Sequence, residues 1–158
     1  MIFVTVGTQL AFDRLISSVD RWASASGEAE IFAQIGPGEY RPKHLPYRDF
    51  VSPREHQERM ESADLIVAHA GMGTVIRALE LGTPVVVMPR VAALGEHRND
   101  HQMATARRFA ELGRVLVVSD EGELAAAMQS VPATRDEHRL EPYASSRLIG
   151  ALSAFINQ

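Results

Sequence analysis

Ala63-Asp64-Leu65-Ile66-Val67-Ala68-His69-Ala70-Gly71-Met72-Gly73-Thr74 runs an apolar strand into a glycine turn that opens a helix. An α/β protein can hold a phosphate at such a turn. The helix start offers unpaired N–H groups and the positive end of the dipole, and glycines let a ligand approach the backbone. Ligands in such folds gather at the carboxyl ends of the strands, where His69 and Gly71 are expected. Gly71 and Gly73 also suit a plain tight turn, so this stretch taken alone leaves both readings open.

Outward from it, short β-rich runs alternate with amphipathic patterns along the chain, which predicts a parallel sheet covered by helices on both faces. Strands are expected at 2–6, 30–35, 49–51, 65–68, 85–88 and 115–118. Helices are expected at 12–25, 53–62, 74–81, 100–112 and 121–129, where apolar residues recur at three- and four-residue spacing. Ser52-Pro53 reads as an N-cap followed by proline at N1, and Gly82 and Gly113 as helix ends needing a left-handed residue. Residues 36–46 hold three prolines and two glycines and read as a loop, the best candidate for a mobile segment. A final helix is expected at about 143–156, and the whole, 1–158, reads as one domain.

A chain of 158 residues fits one core and leaves no room for a second active-site domain. Its 46% apolar and 23% charged residues are ordinary for a globular protein. The net charge of −4 comes without a basic run for a nucleic-acid backbone, so no nucleic-acid partner is expected. With no cysteine, neither disulfides nor thiolate metal sites are available, and a reducing cytoplasm is the simplest compartment. The beginning lacks the basic region of a signal peptide, and no apolar run reaches the roughly 18 residues that span a bilayer. Work at a membrane would need something else to hold the protein there.

Two further stretches carry chemistry. Val6-Gly7-Thr8-Gln9 is a glycine turn after the first strand, at the same sheet edge as the later turn if the strands are parallel, and two turns at one edge make a cleft. Gly95-Glu96-His97-Arg98-Asn99-Asp100-His101-Gln102 is a dense polar run opening a helix. Its amides and carboxylates match sugar hydroxyls, each of which both donates and accepts. A solvated loop with Asn99 or Asp100 as N-cap also fits that run. A metal held by His97 and His101 is disfavoured, because the pattern is not His-Glu-x-x-His and no third ligand is evident. A dinucleotide site is disfavoured as well. Gly71-Met72-Gly73 lacks the third glycine, and Arg90 stands after the fifth strand where an acid is needed.

With these pieces in place, the chain resembles the C-terminal domain of glycosyltransferase family 28 over nearly its whole length. The likeness is greatest to the catalytic member of two-protein transferases, bacterial exopolysaccharide enzymes among them. It rests on residues 2–8 with Phe12-Asp13-Arg14-Leu15, on 63–74 continuing to Leu79-Glu80-Leu81-Gly82-Thr83-Pro84, and on 95–102. The resemblance implies a single Rossmann-like sheet forming one half of a GT-B fold, with a UDP-sugar as donor and no required cofactor or metal. It sets the diphosphate against Gly7, Thr8, His69, Gly71, Met72, Gly73 and Thr74, with the turn amides and His69 stabilising the charge on the departing phosphate. The nucleobase falls near Phe50 and Val51, and the sugar hydroxyls near Glu96, His97, Asn99, Asp100 and Gln102. It further implies inversion at the sugar, a membrane-associated partner subunit that binds the acceptor, a lipid-linked acceptor reached through that partner, and a general base on the partner. A regulatory nucleotide-binding domain without chemistry is the main rival, since phosphate turns alone do not prove catalysis.

One position departs from the pattern. Six residues after Gly71 the family usually has a glutamate that accepts from both ribose hydroxyls, and here Arg77 stands there. A guanidinium has no acceptor lone pair. Either Glu80, one turn on, takes the ribose, or Arg77 pairs with phosphate or an acidic sugar.

Overall fold

The computed structural model describes residues 1–27, 30–98, 101–111 and 115–131. Six strands, β1 (Ile2–Thr5), β2 (Ile31–Gln34), β3 (Tyr47–Arg48), β4 (Leu65–His69), β5 (Val85–Met88) and β6 (Leu116–Val117), form one parallel sheet in the order β3-β2-β1-β4-β5-β6. Between them run α1 (Asp13–Ser26), α2 (Pro53–Ser62), α3 (Met72–Leu81) and α4 (His101–Glu111), and α5 (Glu121–Ser130) follows β6. A short 3-10 turn, Ala92–Leu94, follows β5.

The strands are apolar on both sides because both sides are covered. Val4, Leu65, Val67, Val86 and Met88 face a core shared with Leu15, Ile16, Val19 and Trp22 of α1 and Leu124, Ala127 and Met128 of α5. Their neighbours Phe3, Ile66, Ala68, Val85 and Val87 face a second core with Met60 of α2, Val75, Ala78 and Leu79 of α3 and Ala106 of α4. This alternation is the period of two expected of a strand. Ser52 accepts from the Glu55 N–H with Pro53 at the start of α2, and Gly82 ends α3 at φ 67°. Gly113 and the final helix expected at 143–156 lie outside the described residues.

Two expectations need correction. The third strand is Tyr47–Arg48, not 49–51. Past Gln34 the second strand turns at Gly36 (φ 65°), so Asp49 keeps one backbone bond, to the Gly36 N–H. Residues 36–46, expected to be mobile, are tied down. The buried carboxylate of Asp20 accepts from the Lys43 and His44 N–H groups and from the Tyr40 hydroxyl at 2.7 to 3.0 Å. Leu45 enters the first core, and Asp13 accepts from the Glu39 N–H at 3.1 Å.

Candidate functional site

The chain leaves β1 for a helix on one face and leaves β4 for a helix on the other, so a crevice opens between their carboxyl ends, the switch point where such sheets bind ligands. A cavity of about 550 Å³ occupies it. Its walls are residues 6–10, residues 69–74, and Arg90, His97 and Gln102. Of the residues expected from sequence, Gly7, Thr8, His69, Gly71, Met72, Gly73, Thr74, His97 and Gln102 meet here. Among the described lining residues every ionisable side chain, His69, Arg90 and His97, is basic.

The imidazole of His69, at the end of β4, fills the space between two glycines. A Cβ on Gly7 would stand 2.8 Å from its Cε1, and one on Gly71 would stand 2.7 Å from the same atom and overlap Nε2. Gly7 also has φ 75°, a conformation that L side chains avoid. Gly71 does not (φ −81°); the close approach to His69 alone requires glycine there. Gly71 is the N-cap of α3 and no side chain caps the helix, which leaves its first amides facing the cavity mouth where Met72, Gly73 and Thr74 line it. Burial, with the Arg90 guanidinium next, pushes His69 down to about 4, against an upward pull from the Thr5 backbone. The ring is therefore neutral at physiological pH and can donate or accept a hydrogen bond without carrying charge.

Three buried polar side chains that sequence reasoning passed over as site residues hold the Gly7 loop. Arg90, 2% exposed, donates from one Nη2 to the Val6 and Leu10 carbonyls at 2.8 and 2.7 Å. Gln34 donates to the Gly7 carbonyl and accepts from the Val51 N–H, both at 3.2 Å. Thr5 accepts from the Gly7 N–H at 3.3 Å. Their signal in the sequence is a lone polar residue ending or following an otherwise apolar strand that is buried on both faces. Thr5 and Gln34 are also register partners. Burial lowers the Arg90 pKa while Glu96 pulls it back up, and a guanidinium keeps its proton throughout.

The remaining expected residues stand elsewhere. The carboxylate of Glu96, expected on sugar hydroxyls, is engaged by Arg14 at 2.7 and 2.9 Å and by the Val91 N–H at 2.8 Å. Gln102 lines the cavity while its Oε1 accepts from the Arg90 N–H at 3.2 Å. Phe50 is half exposed and, like Val51, lies on the same sheet edge outside the cavity lining, joined to the Gly7 loop through Gln34. Arg77 donates to Glu80 at 3.1 Å and to Glu61 at 2.9 Å, so its guanidinium bridges α3 to α2. Asn99 and Asp100 lie outside the described residues. His97 precedes α4, so it and His101 do not share a helical turn, and among the described residues no three His, Asp or Glu side chains gather as metal ligands. No helix among the described residues is long and apolar enough to cross a membrane.

This geometry is that of a Rossmann-like domain with a crevice at its switch point, and comparison with known proteins makes the family definite. Residues 1–147 match the glycosyltransferase family 28 C-terminal domain, and the chain belongs to that family. It is similar to the UDP-N-acetylglucosamine transferase subunit ALG13 of Homo sapiens, 28% identical over 173 residues, a match covering 99% of this chain and 15% of that protein. The chain thus spans less than a fifth of that relative's length. Its fold matches the solution structure of ALG13 with a TM-score of 0.59 at 19% identity, covering 96% of this chain and 93% of that one. The glycotransferase of kitacinnamycin matches with a TM-score of 0.61 at 23% identity, covering 99% of this chain and 39% of that one. The sheet and its helices have the Rossmann-like fold of one half of these GT-B structures.

Proposed function

We infer that this chain is the donor-binding half of an inverting glycosyltransferase that takes a UDP-sugar and works with a partner subunit. The observation that carries the inference is the cavity at the β1/β4 switch point, where a glycine loop, a helix start and, among the described residues, only basic ionisable side chains converge. Family membership supports it, as does the UDP-N-acetylglucosamine named for the human relative.

In this reading the diphosphate lies between Gly7-Thr8 and residues 69–74, the base over Phe50 and Val51, and the sugar, N-acetylglucosamine or another hexose, toward His97 and Gln102. An acceptor hydroxyl attacks the anomeric carbon, the bond to the β-phosphate oxygen breaks with inversion, and UDP leaves. Its growing charge is met by the α3 amides and by the neutral His69 ring acting as donor, groups already oriented before reaction. The hydroxyl proton passes to a base on the partner. Either Glu80 takes the ribose or Arg77 meets phosphate or an acidic sugar; in this structure the two side chains pair with each other, and Arg77 also with Glu61. Leu10 and Met72 line the cavity yet are 37% and 53% exposed. Such apolar groups at a mouth suit cover by the partner's acceptor domain, which brings a lipid-linked acceptor and membrane association.

The test is calorimetric titration with UDP and UMP, followed by transfer of labelled sugar with and without the co-encoded membrane partner. UDP binding well above UMP and turnover only with the partner are expected. Equal affinity for the two nucleotides overturns the diphosphate placement, and full turnover by the chain alone overturns the two-part reading.

A further inference from the structure

We propose that Arg90 is the positioning residue of the anion site, the side chain that holds the Gly7 loop in the shape a diphosphate needs. The proposal rests on the donor reading above and deepens it by assigning the residue that makes the cavity selective for diphosphate.

Arg90 follows Pro89 past β5, and its guanidinium reaches across the crevice beyond the end of β4 to the loop of β1. One nitrogen bridges the carbonyls of Val6 and Leu10, at 2.8 and 2.7 Å. These are the two ends of the segment that carries Gly7, Thr8 and Gln9. Carbonyls drawn inward at both ends of a short loop leave the residues between them bowed toward the cavity that they line. The arginine is itself fixed from behind. Its N–H donates to Gln102 Oε1 at 3.2 Å, Nη1 approaches the Glu96 carbonyl at 3.5 Å, and its carbon Cζ stands 5.0 Å from the centre of the Phe12 ring. Among the described residues its buried Nε has no hydrogen-bond partner, a cost of burial that the core does not recover. A cation so placed beside a neutral His69 gives the cavity floor positive charge without exposing it to solvent. A lysine keeps that charge but is a point donor on a flexible stem and does not reproduce the planar fork.

The experiment titrates uridine, UMP and UDP into the full-length chain and into R90Q and R90K, with circular dichroism confirming that each variant is folded. R90K keeps a buried cation and a carbonyl bond, so it carries the test if R90Q does not fold. Both variants are expected to lose at least about tenfold in UDP affinity while uridine binding stays within about twofold, and the UDP-over-UMP preference collapses. R90K binding UDP as tightly as the unaltered chain overturns the proposal, and so does a folded variant that loses uridine and UDP affinity in parallel, since that marks a general structural role. If the unaltered chain itself shows no preference for UDP over UMP, the donor reading fails. If it shows the preference and the variants keep it, only the assignment of Arg90 fails.

Discussion

Arg14 and Glu96, 82 residues apart in sequence, form a two-pronged ion pair, Nε to Oε1 at 2.7 Å and Nη2 to Oε2 at 2.9 Å. The side chains are 18% and 11% exposed, so the pair is largely withdrawn from water. Arg14 also donates to the carbonyls of Pro89 and Ser119 at 3.1 Å. It thereby fastens the segment after β5 to the first turn of α1. The two walls of the cavity are held at a set separation by this pair and by Arg90.

Removing Glu96 leaves Arg14, largely withdrawn from water, with carbonyl partners but without its carboxylate, which costs about 1–3 kcal/mol. Glu96→Ala is therefore expected to lower the unfolding free energy by about that amount, measured by urea denaturation. UDP and UDP-sugar affinities should fall together. Unchanged stability with a selective loss of UDP-sugar over UDP affinity would instead return Glu96 to the sugar hydroxyls.

Gly71 and Gly73 look equivalent in the sequence and differ in their surroundings. A Cβ on Gly71 meets the His69 ring, whereas one on Gly73 meets none of the described residues within 4 Å. Gly71→Ala should displace the ring, destabilise by about 1–3 kcal/mol as overpacking does, and weaken UDP binding. Gly73→Ala, inside α3, should stabilise the free protein by about 0.5–1 kcal/mol and yet weaken UDP, because the new methyl occupies space in the cavity lining. Thermal melts paired with UDP titrations separate the two, and a Gly73→Ala variant that binds UDP unchanged would move the diphosphate off this turn.

Because His69 is pushed down to about 4 by burial and then by Arg90, its folded value lies below the ordinary value of 6.5. The unfolded chain takes up the proton first as pH falls. The stabilising difference is present in full above about 6.5 and is lost between there and about 4, up to about 3 kcal/mol by linkage. Nuclear magnetic resonance of the His69 Cε1 proton should follow a midpoint near 4 in the free protein. With UDP bound the midpoint should rise, as a diphosphate favours the protonated ring. A free-state midpoint near 6.5 would place the ring in water, and no rise with UDP would place the ligand elsewhere.

Much of this was legible along the chain because it depends on neighbours in sequence. Val85-Val86-Val87-Met88 is apolar at every position, which only a strand buried on both faces tolerates, and β5 is that strand. Ser52-Pro53 and Gly82 ended or began helices as their backbone preferences require. Gly7, Gly71 and His69 could be placed at one edge once the strands were taken as parallel. The third strand slipped by two residues because Phe50 and Val51 are strand-forming types, while pairing depends on where Gly36 turns the partner strand away.

What the sequence determined was thus the alternation of strands and helices, the glycine turns, and the edge on which they gather, since backbone preference and burial pattern act over a few residues. Tertiary structure alone decided which polar side chains are ligand-facing and which hold the walls. Glu96 sits in a run rich in sugar-binding types, yet its carboxylate is engaged by Arg14, brought beside it by packing of α1. Arg90 follows a strand where a charge would ordinarily turn to water, and it is buried because the Val6 and Leu10 carbonyls come to meet it. An ionised group enters the interior only where partners from distant parts of the chain replace its water, and those partners exist only once the sheet has set β1, β4 and β5 side by side.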